Sequence, residues 1–255
     1  MYWEGTCPEW VKQCQRTVFR HARDVRLLSA EDFDGLRDTD RDIDLTRLLV
    51  MQRADYIRAF LLAKYGGLWI DSDCIVMQSL HPVLDILNEY DFIAHRERNK
   101  SLLANDFMGA ARRSKIASAL YQRICCILRS PVRVGWTALG RYAVTETLKA
   151  ANVAWFEIKC ERIQPVCLSN PDPFFAVNDA ARHQQTFDPR ATCYMLSNLT
   201  MQNEFEVTDL SERLLLDGTF FNYLISQALH EGEAVSAPEG MKADLADLGT
   251  SHPME

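Results

Sequence analysis

The sequence predicts an α/β fold in which a central mixed sheet is flanked by helices. Segments with helical spacing alternate with short apolar, strand-like segments along most of the chain. The 255 residues, 47% of them hydrophobic and 25% charged, have an ordinary globular composition and fit one large domain as well as two small ones. The longest helical pattern, over residues 45–65, leads directly into the apolar run 68–70. We therefore predict a single α/β domain over residues 1–230.

The first half of the chain has the clearer pattern. Apolar spacing predicts a helix over residues 8–21, followed by a short strand over 25–28. Ser29 and Asp32 have the spacing of a capping box, so a short helix is expected to begin there. Glycine adopts the left-handed C-cap conformation without a Cβ penalty, so Gly66-Gly67 is expected to end the long helix.

The later elements follow from the same two periodicities. Helices are predicted over residues 81–88, 114–128, 137–150 and 217–229. Strands are predicted over residues 91–94, 107–111, 155–163 and 192–199. The remaining residues, 231–255, are acidic and rich in glycine, proline and alanine, so we expect a mobile tail there.

Composition excludes several classes of protein. A net charge of −7 argues against general nucleic-acid binding. No apolar run approaches the ~18 residues of a membrane helix, and the first residues lack a signal-peptide pattern, so a cytoplasmic protein is expected. The eight cysteines form no CxxC pair and no zinc-like spacing with histidine, so we expect buried apolar side chains and no disulfide framework.

Two aspartates follow the apolar run 68–70. In an extended chain, residues two apart point the same way, so Asp71 and Asp73 can face one centre. Carboxylate oxygens suit Mg²⁺ or Mn²⁺, and two of them leave positions for water and a substrate diphosphate. The pattern alone is weak, because 40–42 and 42–44 also have it and a solvated loop pair is the simpler interpretation.

The helix before these aspartates carries a polar pair. Asp55 and Arg58 are three residues apart and share one face of the helix. A polar pair in an otherwise apolar helix needs a partner. Either the two form an ion pair on the surface, or both point at a ligand beside Asp71 and Asp73.

The segment from Arg53 to Asp73, RADYIRAFLLAKYGGLWIDSD, resembles the core of the DXD sugar-binding glycosyltransferases. That family includes bacterial capsular polysaccharide transferases, yeast outer-chain mannosyltransferases and, more distantly, the glucosylating clostridial toxins. Its pattern is R-A/S-D-x-x-R, about eight residues, then G-G-x-Y-x-D-x-D, and this chain departs from it at Trp69. The resemblance is clear over residues 2–110. An I-P-K-I-I-W strand usual in the capsular branch is missing, so a truncated first strand is expected.

The resemblance implies a GT-A fold and a retaining, metal-dependent transfer of a hexose from a nucleotide-sugar, with UDP favoured. The acceptor would be a glycan or glycolipid, in capsular or other surface polysaccharide synthesis. Asp73 would bind Mn²⁺ or Mg²⁺ directly, and Asp71 would contact the ribose and the metal. Asp55 and Arg58 would hold the donor sugar hydroxyls. Trp3 stands where the family has a base-stacking aromatic, with plain core packing as the alternative.

Other assignments are less specific. Asn198 is a third metal contact or a turn residue, and Asn105 and Asp106 either face the acceptor or begin a strand. The basic region 112–133 lies in a stretch with no acidic residue between Asp106 and Glu146. It is either a solvated helix face or a surface that steers anionic glycans and contacts an anionic membrane at the inner membrane face.

Two other functions stay open. A DxD-type Mg²⁺-dependent phosphatase would need a longer apolar strand before the motif, and threonine or valine where Ile75 stands. A non-catalytic protein that binds sugar nucleotides would keep the pocket without turnover.

Overall fold

The computed structural model describes residues 1–98, 100–131, 134–198, 201, 210–230 and 245–252. Its strands are β1 Gly67–Ile70, β2 Cys74–Val76, β3 Phe92–His95, β4 Phe107–Ala110, β5 Trp155–Ile158, β6 Cys193–Met195 and β7 Gly249–His252. Five of them form a sheet in the order β1-β4-β3-β5-β7, and β2 pairs with β6 in a second sheet. In the larger sheet β3 and β5 are parallel and the other neighbours antiparallel.

Helices cover both faces of the larger sheet. They are α1 Glu9–His21, α2 Ala30–Leu36, α3 Val50–Tyr65, α4 His81–Ile86, α5 Lys115–Arg129, α6 Arg141–Lys149, α7 Cys160–Ile163, α8 Asp172–Phe175, α9 Ala180–Thr186, α10 Leu210–Leu214, α11 Phe220–Leu229 and α12 Leu245–Leu248. The predicted fold class, a mixed central sheet flanked by helices, is therefore confirmed and is consistent with a GT-A-like fold. Among the described residues, no helix is long and apolar enough to cross a membrane.

Side chains on the two faces of the larger sheet enter different cores. Trp69 and Met108 pack with α3 and α5 through residues such as Phe60. Ile70 and Phe107 point to the other face, where α4 and the second sheet pack. β1 therefore contributes side chains to both cores. The residues that follow Ile70 lie at the boundary between them.

The second sheet is also buried on both faces. Cys74 and Met195 pack toward the larger sheet. Ile75 and Tyr194 point the other way, into a core with α1 and α11 that includes Trp10. The chain crosses from one sheet to the other in the three residues between β1 and β2, which are Asp71, Ser72 and Asp73.

The link from α3 to β1 depends on glycine. Gly66 has a φ of 72°, the left-handed region, and caps the helix through its N–H to the Leu62 carbonyl. A Cβ on Gly66 would also lie 3.0 Å from the Ala110 carbonyl oxygen of β4. The predicted glycine stop is therefore confirmed, and so is the capping box, in which the Ser29 N–H donates to Asp32 over 2.9 Å.

Several predicted boundaries were wrong. The pattern over 45–65 divides into a 3₁₀ turn, Leu45–Arg47, and α3. The strand predicted over 155–163 stops at Ile158, where pairing with β7 ends, and α7 follows. The strand predicted over 192–199 is confined to β6, because Ser197 turns the chain with a φ of 66°.

Other elements differ from the prediction as well. Residues 25–28 contribute only one bridge, between Tyr2 and Leu28. The helix expected from residue 137 begins at Arg141, after turns over 136–140. Sequence periodicity did not predict β2, α8 or α9, which are short.

The C-terminal prediction needs a correction. Residues 249–252, placed in a mobile tail, form β7 at the edge of the larger sheet, and the His252 ring stacks on Trp155 with centroids 4.1 Å apart. Residues 231–244 and 253–255 lie outside the described residues. All eight cysteines are free, as predicted, but only Cys14, Cys74, Cys125 and Cys193 are buried and Cys126 is exposed.

Candidate active site

The DxD aspartates lie where β1 ends. The Asp71 N–H donates to the Asp106 carbonyl over 2.9 Å, which extends the β1–β4 register by one residue. Trp69, two residues earlier, donates its indole N–H to Asp71 Oδ1 over 2.6 Å. Both bonds hold the Asp71 carboxylate at the edge of the sheet.

Arg58 connects α3 to this edge. Its side chain is 7% exposed, with Nη2 3.2 Å from Asp71 Oδ1 and Nε 3.6 Å from Asp55 Oδ1. Nη1 donates to the Asn105 carbonyl, and the guanidinium lies over the Trp69 ring, 5.1 Å from its centroid. The Asp55–Arg58 pair is therefore buried beside the motif, not an ion pair on the surface.

Asp55 lies one layer behind the cavity wall. Its Oδ1 accepts a hydrogen bond from Asn105 Nδ2 over 2.6 Å. Gly140 is packed against the same pair, since a Cβ there would lie 2.7 Å from Asn105 Nδ2 and 2.9 Å from Asp55 Oδ2. Through these contacts Asp55 orients Asn105 and Arg58, both of which line the cavity.

Asp73 is held by the other sheet. Its carbonyl accepts from the Leu196 N–H over 3.2 Å, and its Oδ2 accepts from the Asn198 N–H over 2.7 Å. The left-handed turn at Ser197 brings that amide into place. The Asn198 Oδ1 atom is buried and accepts no hydrogen bond from the described residues. The structure thus places Asn198 beside Asp73, with one oxygen free.

One cluster in the site was not predicted from the sequence. His95, fully buried at the end of β3, donates from Nε2 to Asp106 Oδ1 over 2.5 Å. Gln164, also buried, donates from Nε2 to Asp106 Oδ2 over 2.9 Å. The available signal was the position of His95 directly after the apolar run Phe92–Ala94.

These residues surround a cavity of about 420 Å³. Its lining includes Trp3, Arg58, Asp71, Asp73, Asp106 and Asn198. Trp3 has a buried indole N–H that finds no acceptor among the described residues. Among the described residues, the cavity lining therefore includes one buried donor without an acceptor, the Trp3 indole N–H, and one buried acceptor without a donor, the Asn198 Oδ1 atom.

The cavity is rich in negative charge. Burial raises the pKa of Asp71 to about 7, against the opposing charge of Arg58, and Asp73 and Asp106 add to the rise. Burial raises the pKa of Asp55 to about 6, although Arg58 and Asn105 oppose it. Burial also raises the pKa of Asp73, against the Asn198 amide. A cation bound here would stabilise the ionised carboxylates.

Asp106 behaves differently from these three. Burial by itself would raise its pKa, but the charge and hydrogen bond of His95 outweigh burial and lower it. The pKa of His95 reflects the same two opposing effects. Burial alone would lower it, but the charge and hydrogen bond of Asp106 outweigh burial and raise it to about 10. Asp106 is therefore held as an anion without any ligand.

The donor set fits a hard divalent cation. Asp71, Asp73 and the free Asn198 oxygen offer only oxygen atoms, which suit Mg²⁺ or Mn²⁺. Among the described residues, no three or more His, Cys, Asp or Glu side chains are arranged to hold a metal ion. Substrate oxygens and water would have to complete the coordination.

The other two DxD patterns have structural partners. Arg129 donates from Nε to Asp42 Oδ2 over 2.8 Å and also bonds Asp40. Asp44 accepts the Thr46 N–H over 3.0 Å and caps the 3₁₀ turn. Of the three patterns, the one at Asp71 and Asp73 borders the site cavity.

Residues 8–93 match the family model described as "Glycosyltransferase sugar-binding region containing DXD motif". The match contains Asp55, Arg58, Asp71 and Asp73 and supports a glycosyltransferase in general terms. It ends before Asn105, Asp106 and Asn198.

A solved structure titled "PaToxG Glycosyltransferase" is similar to the chain at 14% sequence identity, with a TM-score of 0.39. The alignment covers 59% of this chain and 66% of that one, just under two thirds of its length. No curated protein is significantly similar to the chain.

Proposed function

We propose that the protein is a metal-dependent retaining glycosyltransferase. It would move a hexose from a nucleotide-sugar, with a UDP-sugar favoured, to a glycan or glycolipid acceptor. The main support is that Asp71 and Asp73, at the DxD motif of the matched region, face one cavity with the buried Arg58. Carboxylates with raised pKa values beside the buried guanidinium of Arg58 form a site that a metal diphosphate would complete.

Residues of both sheets would hold the donor. Asp71, Asp73 and Asn198 would bind Mn²⁺ or Mg²⁺. The ion would supply charge neutralisation for the departing nucleoside diphosphate. Arg58 adds a second positive group at the same end of the cavity. Trp3, with its free indole N–H, would receive the base.

The sugar would lie against the Asn105 side of the cavity. Arg58 and Asn105 line that wall, and the buried Asp55 fixes both of them through its carboxylate. Asp55 would therefore act as a positioning residue, through Asn105 and Arg58, and any direct contact with a sugar hydroxyl would need the wall to open.

We also propose that the protein acts in capsular or other surface polysaccharide synthesis at the inner face of the membrane. The basic region 112–133 would contact that membrane. Arg112, Arg113 and Lys115 in the basic region 112–133 are exposed, whereas Arg129 pairs with Asp40 and Asp42. Arg133 lies outside the described residues. Among the described residues, the exposed basic side chains of this region that form no ion pair are thus at the start of α5, while Arg123 donates to Thr147. Flotation with anionic vesicles at low ionic strength tests whether this charge binds a membrane.

The phosphatase alternative has less support. β1 is four residues long, shorter than the apolar strand that such a site needs, and it is an edge strand. A phosphatase would hydrolyse a generic phosphomonoester with Mg²⁺, whereas a transferase would slowly hydrolyse nucleotide-sugars. A non-catalytic protein would bind the nucleotide-sugar without turning it over.

The proposed function is tested by thermal shift and by release of UDP. With Mn²⁺, the correct nucleotide-sugar at about 100 times its Kd should add about 2.7 kcal/mol to the free energy of unfolding. Asp73→Ala should lose both this metal-dependent shift and the turnover. Asp42→Ala, in a DxD pattern outside the cavity, is the matched control and should keep both. Near-normal turnover by Asp73→Ala would contradict the proposal.

A further inference from the structure

Asp106 is placed directly opposite Asp71. The hydrogen bond from the Asp71 N–H to the Asp106 carbonyl makes the two residues a bonded cross-strand pair. The Cα atoms of such a pair lie about 5.5 Å apart and the side chains point to the same face. Like charges in this position are destabilising, and the Asp106 charge accordingly contributes to the raised pKa of Asp71.

Hydrogen bonds from the core already fix the Asp106 carboxylate. Both carboxylate oxygens of Asp106 already accept hydrogen bonds, one from His95 and one from Gln164. Among the described residues, Asp106 does not complete a three-carboxylate metal group with Asp71 and Asp73. Its side chain is nonetheless 15% exposed, and it lines the cavity.

The two donors to Asp106 are built into the core. His95 is fully buried on β3 and Gln164 is 2% exposed at the end of α7. They reach Asp106 from two different elements and fix both the position and the orientation of its carboxylate. Two donors from separate elements restrict the carboxylate to one geometry, although the Nδ1 atom of His95 is buried without a hydrogen-bond partner among the described residues.

We infer that Asp106 is the carboxylate that stabilises positive charge on the donor sugar during transfer, and that His95 and Gln164 are positioning residues for it. This inference rests on the proposed glycosyltransferase function. A fixed anion on a cavity wall stabilises charge that develops only in the transition state, with no reorganisation at that moment.

The proposed transfer needs no covalent bond between the sugar and the enzyme. The bond between the anomeric carbon and the diphosphate oxygen breaks, and its electron pair leaves with the nucleoside diphosphate. The acceptor hydroxyl oxygen forms the new bond to the same carbon, and its proton passes to the departing diphosphate oxygen. The sugar ring carries positive charge between these events, and Asp106 acts on that charge without forming a bond.

The test is Asp106→Asn in the full chain, assayed for UDP release from a panel of UDP- and GDP-hexoses with Mn²⁺. The asparagine side chain keeps the size of aspartate, removes the charge and replaces one acceptor oxygen by an NH2 group, which Gln164 can accept by turning its amide so that its oxygen faces residue 106. We expect kcat to fall roughly 100-fold, the size of effect seen when a fixed electrostatic group is removed from a site. The affinity for UDP with Mn²⁺, measured by thermal shift, should stay within threefold of the wild type.

The positioning residues give an independent test. His95→Gln keeps an N–H donor that orients Asp106 but removes the imidazolium charge, so it should lose less kcat than His95→Leu, which removes both and should lose tenfold or more with KM unchanged. A purely structural role would lower the stability of both variants without this split. Asp91→Asn is the control, because Asp91 also accepts bonds from Ser114 and Ile116 but lies outside the cavity lining.

The outcomes separate this inference from the proposed function. If the wild type releases UDP or GDP from no member of the panel, the proposed function fails and the inference fails with it. If the wild type is active and Asp106→Asn turns over within twofold of it, the inference alone is overturned. Loss of Mn²⁺-dependent UDP binding in Asp106→Asn would make Asp106 a metal ligand and would also overturn the inference.

Discussion

Replacing Arg58 with methionine tests whether the site depends on the buried positive charge of this side chain. Methionine keeps the length of an unbranched stem against Trp69 and removes the guanidinium. The change leaves Asp55, with a side chain 9% exposed, and Asp71, 28% exposed, without their nearest cation. Breaking a buried ion pair by removing one partner costs about 3–5 kcal/mol. Because Asp71 is partly exposed, we expect about 3 kcal/mol, the lower end of that range.

The loss should depend on pH in a defined direction. Burial holds the pKa of Asp55 at about 6 and that of Asp71 at about 7, both above the ordinary carboxyl value, and Arg58 limits the rise. When the pKa of a carboxyl group is higher in the folded protein than in the unfolded chain, the free energy of unfolding falls as the pH rises from the unfolded pKa to the folded one. Without Arg58 both pKa values rise further, so the penalty for Arg58→Met is largest at pH 8 and small at pH 5.

Urea unfolding of both proteins at pH 5 and pH 8, in buffer with a chelator, measures this difference. Arg129→Met is the control, because Arg129 forms ion pairs with Asp40 and Asp42 at an exposed position and should change stability little. If Arg58→Met loses the same free energy of unfolding at both pH values, lost packing and not lost charge explains the effect, and the electrostatic reasoning is refuted.

Two other predictions follow from tight contacts in the site. Gly140→Ala should weaken the binding of UDP with Mn²⁺ in a thermal-shift titration, because its Cβ would lie 2.7 Å from Asn105 Nδ2; Gly135→Ala, where a Cβ meets nothing within 4 Å, should bind normally. An unchanged Gly140→Ala affinity would show that the wall moves freely. The raised His95 pKa of about 10 contributes stability that is complete below pH 6.5 and is lost as the pH approaches 10. In urea unfolding, His95→Gln should therefore lower the free energy of unfolding more at pH 6 than at pH 10. An equal loss at both pH values would show that the charged His95–Asp106 pair does not stabilise the fold.

The local part of the site could be predicted from the sequence. Helical spacing, a glycine stop and an apolar strand follow one another between Arg53 and Asp73, so short-range geometry is enough to bring Arg58 and the motif together. The burial of Asp55 behind Asn105 was not predictable in this way, because it depends on a loop 50 residues further on.

The remaining residues depend on long-range pairing. Gln164 reaches Asp106 across 58 residues, and the Asn198 amide reaches Asp73 across 125. Periodicity contains no information about such pairings, which depend on the pairing of β5 with β3 and of β6 with β2. The same limit applies to three-residue strands such as β2, which are too short for a period of two residues to be recognised; all three residues of β2 are also buried, so no polar residue alternates with an apolar one.

The passage of the chain from one sheet to the other at Ser72 has a mechanical consequence. Asp71 belongs to the end of the larger sheet, Asp73 is bonded to the end of the smaller one, and Ser72 between them donates its hydroxyl to the Tyr2 carbonyl over 3.0 Å. A ligand held by both aspartates would act as a strut between two separately hydrogen-bonded layers. Its binding is expected to slow amide hydrogen exchange along β6, and not only at the motif, so that occupancy of the pocket is reported by a strand on the far side of the crossing.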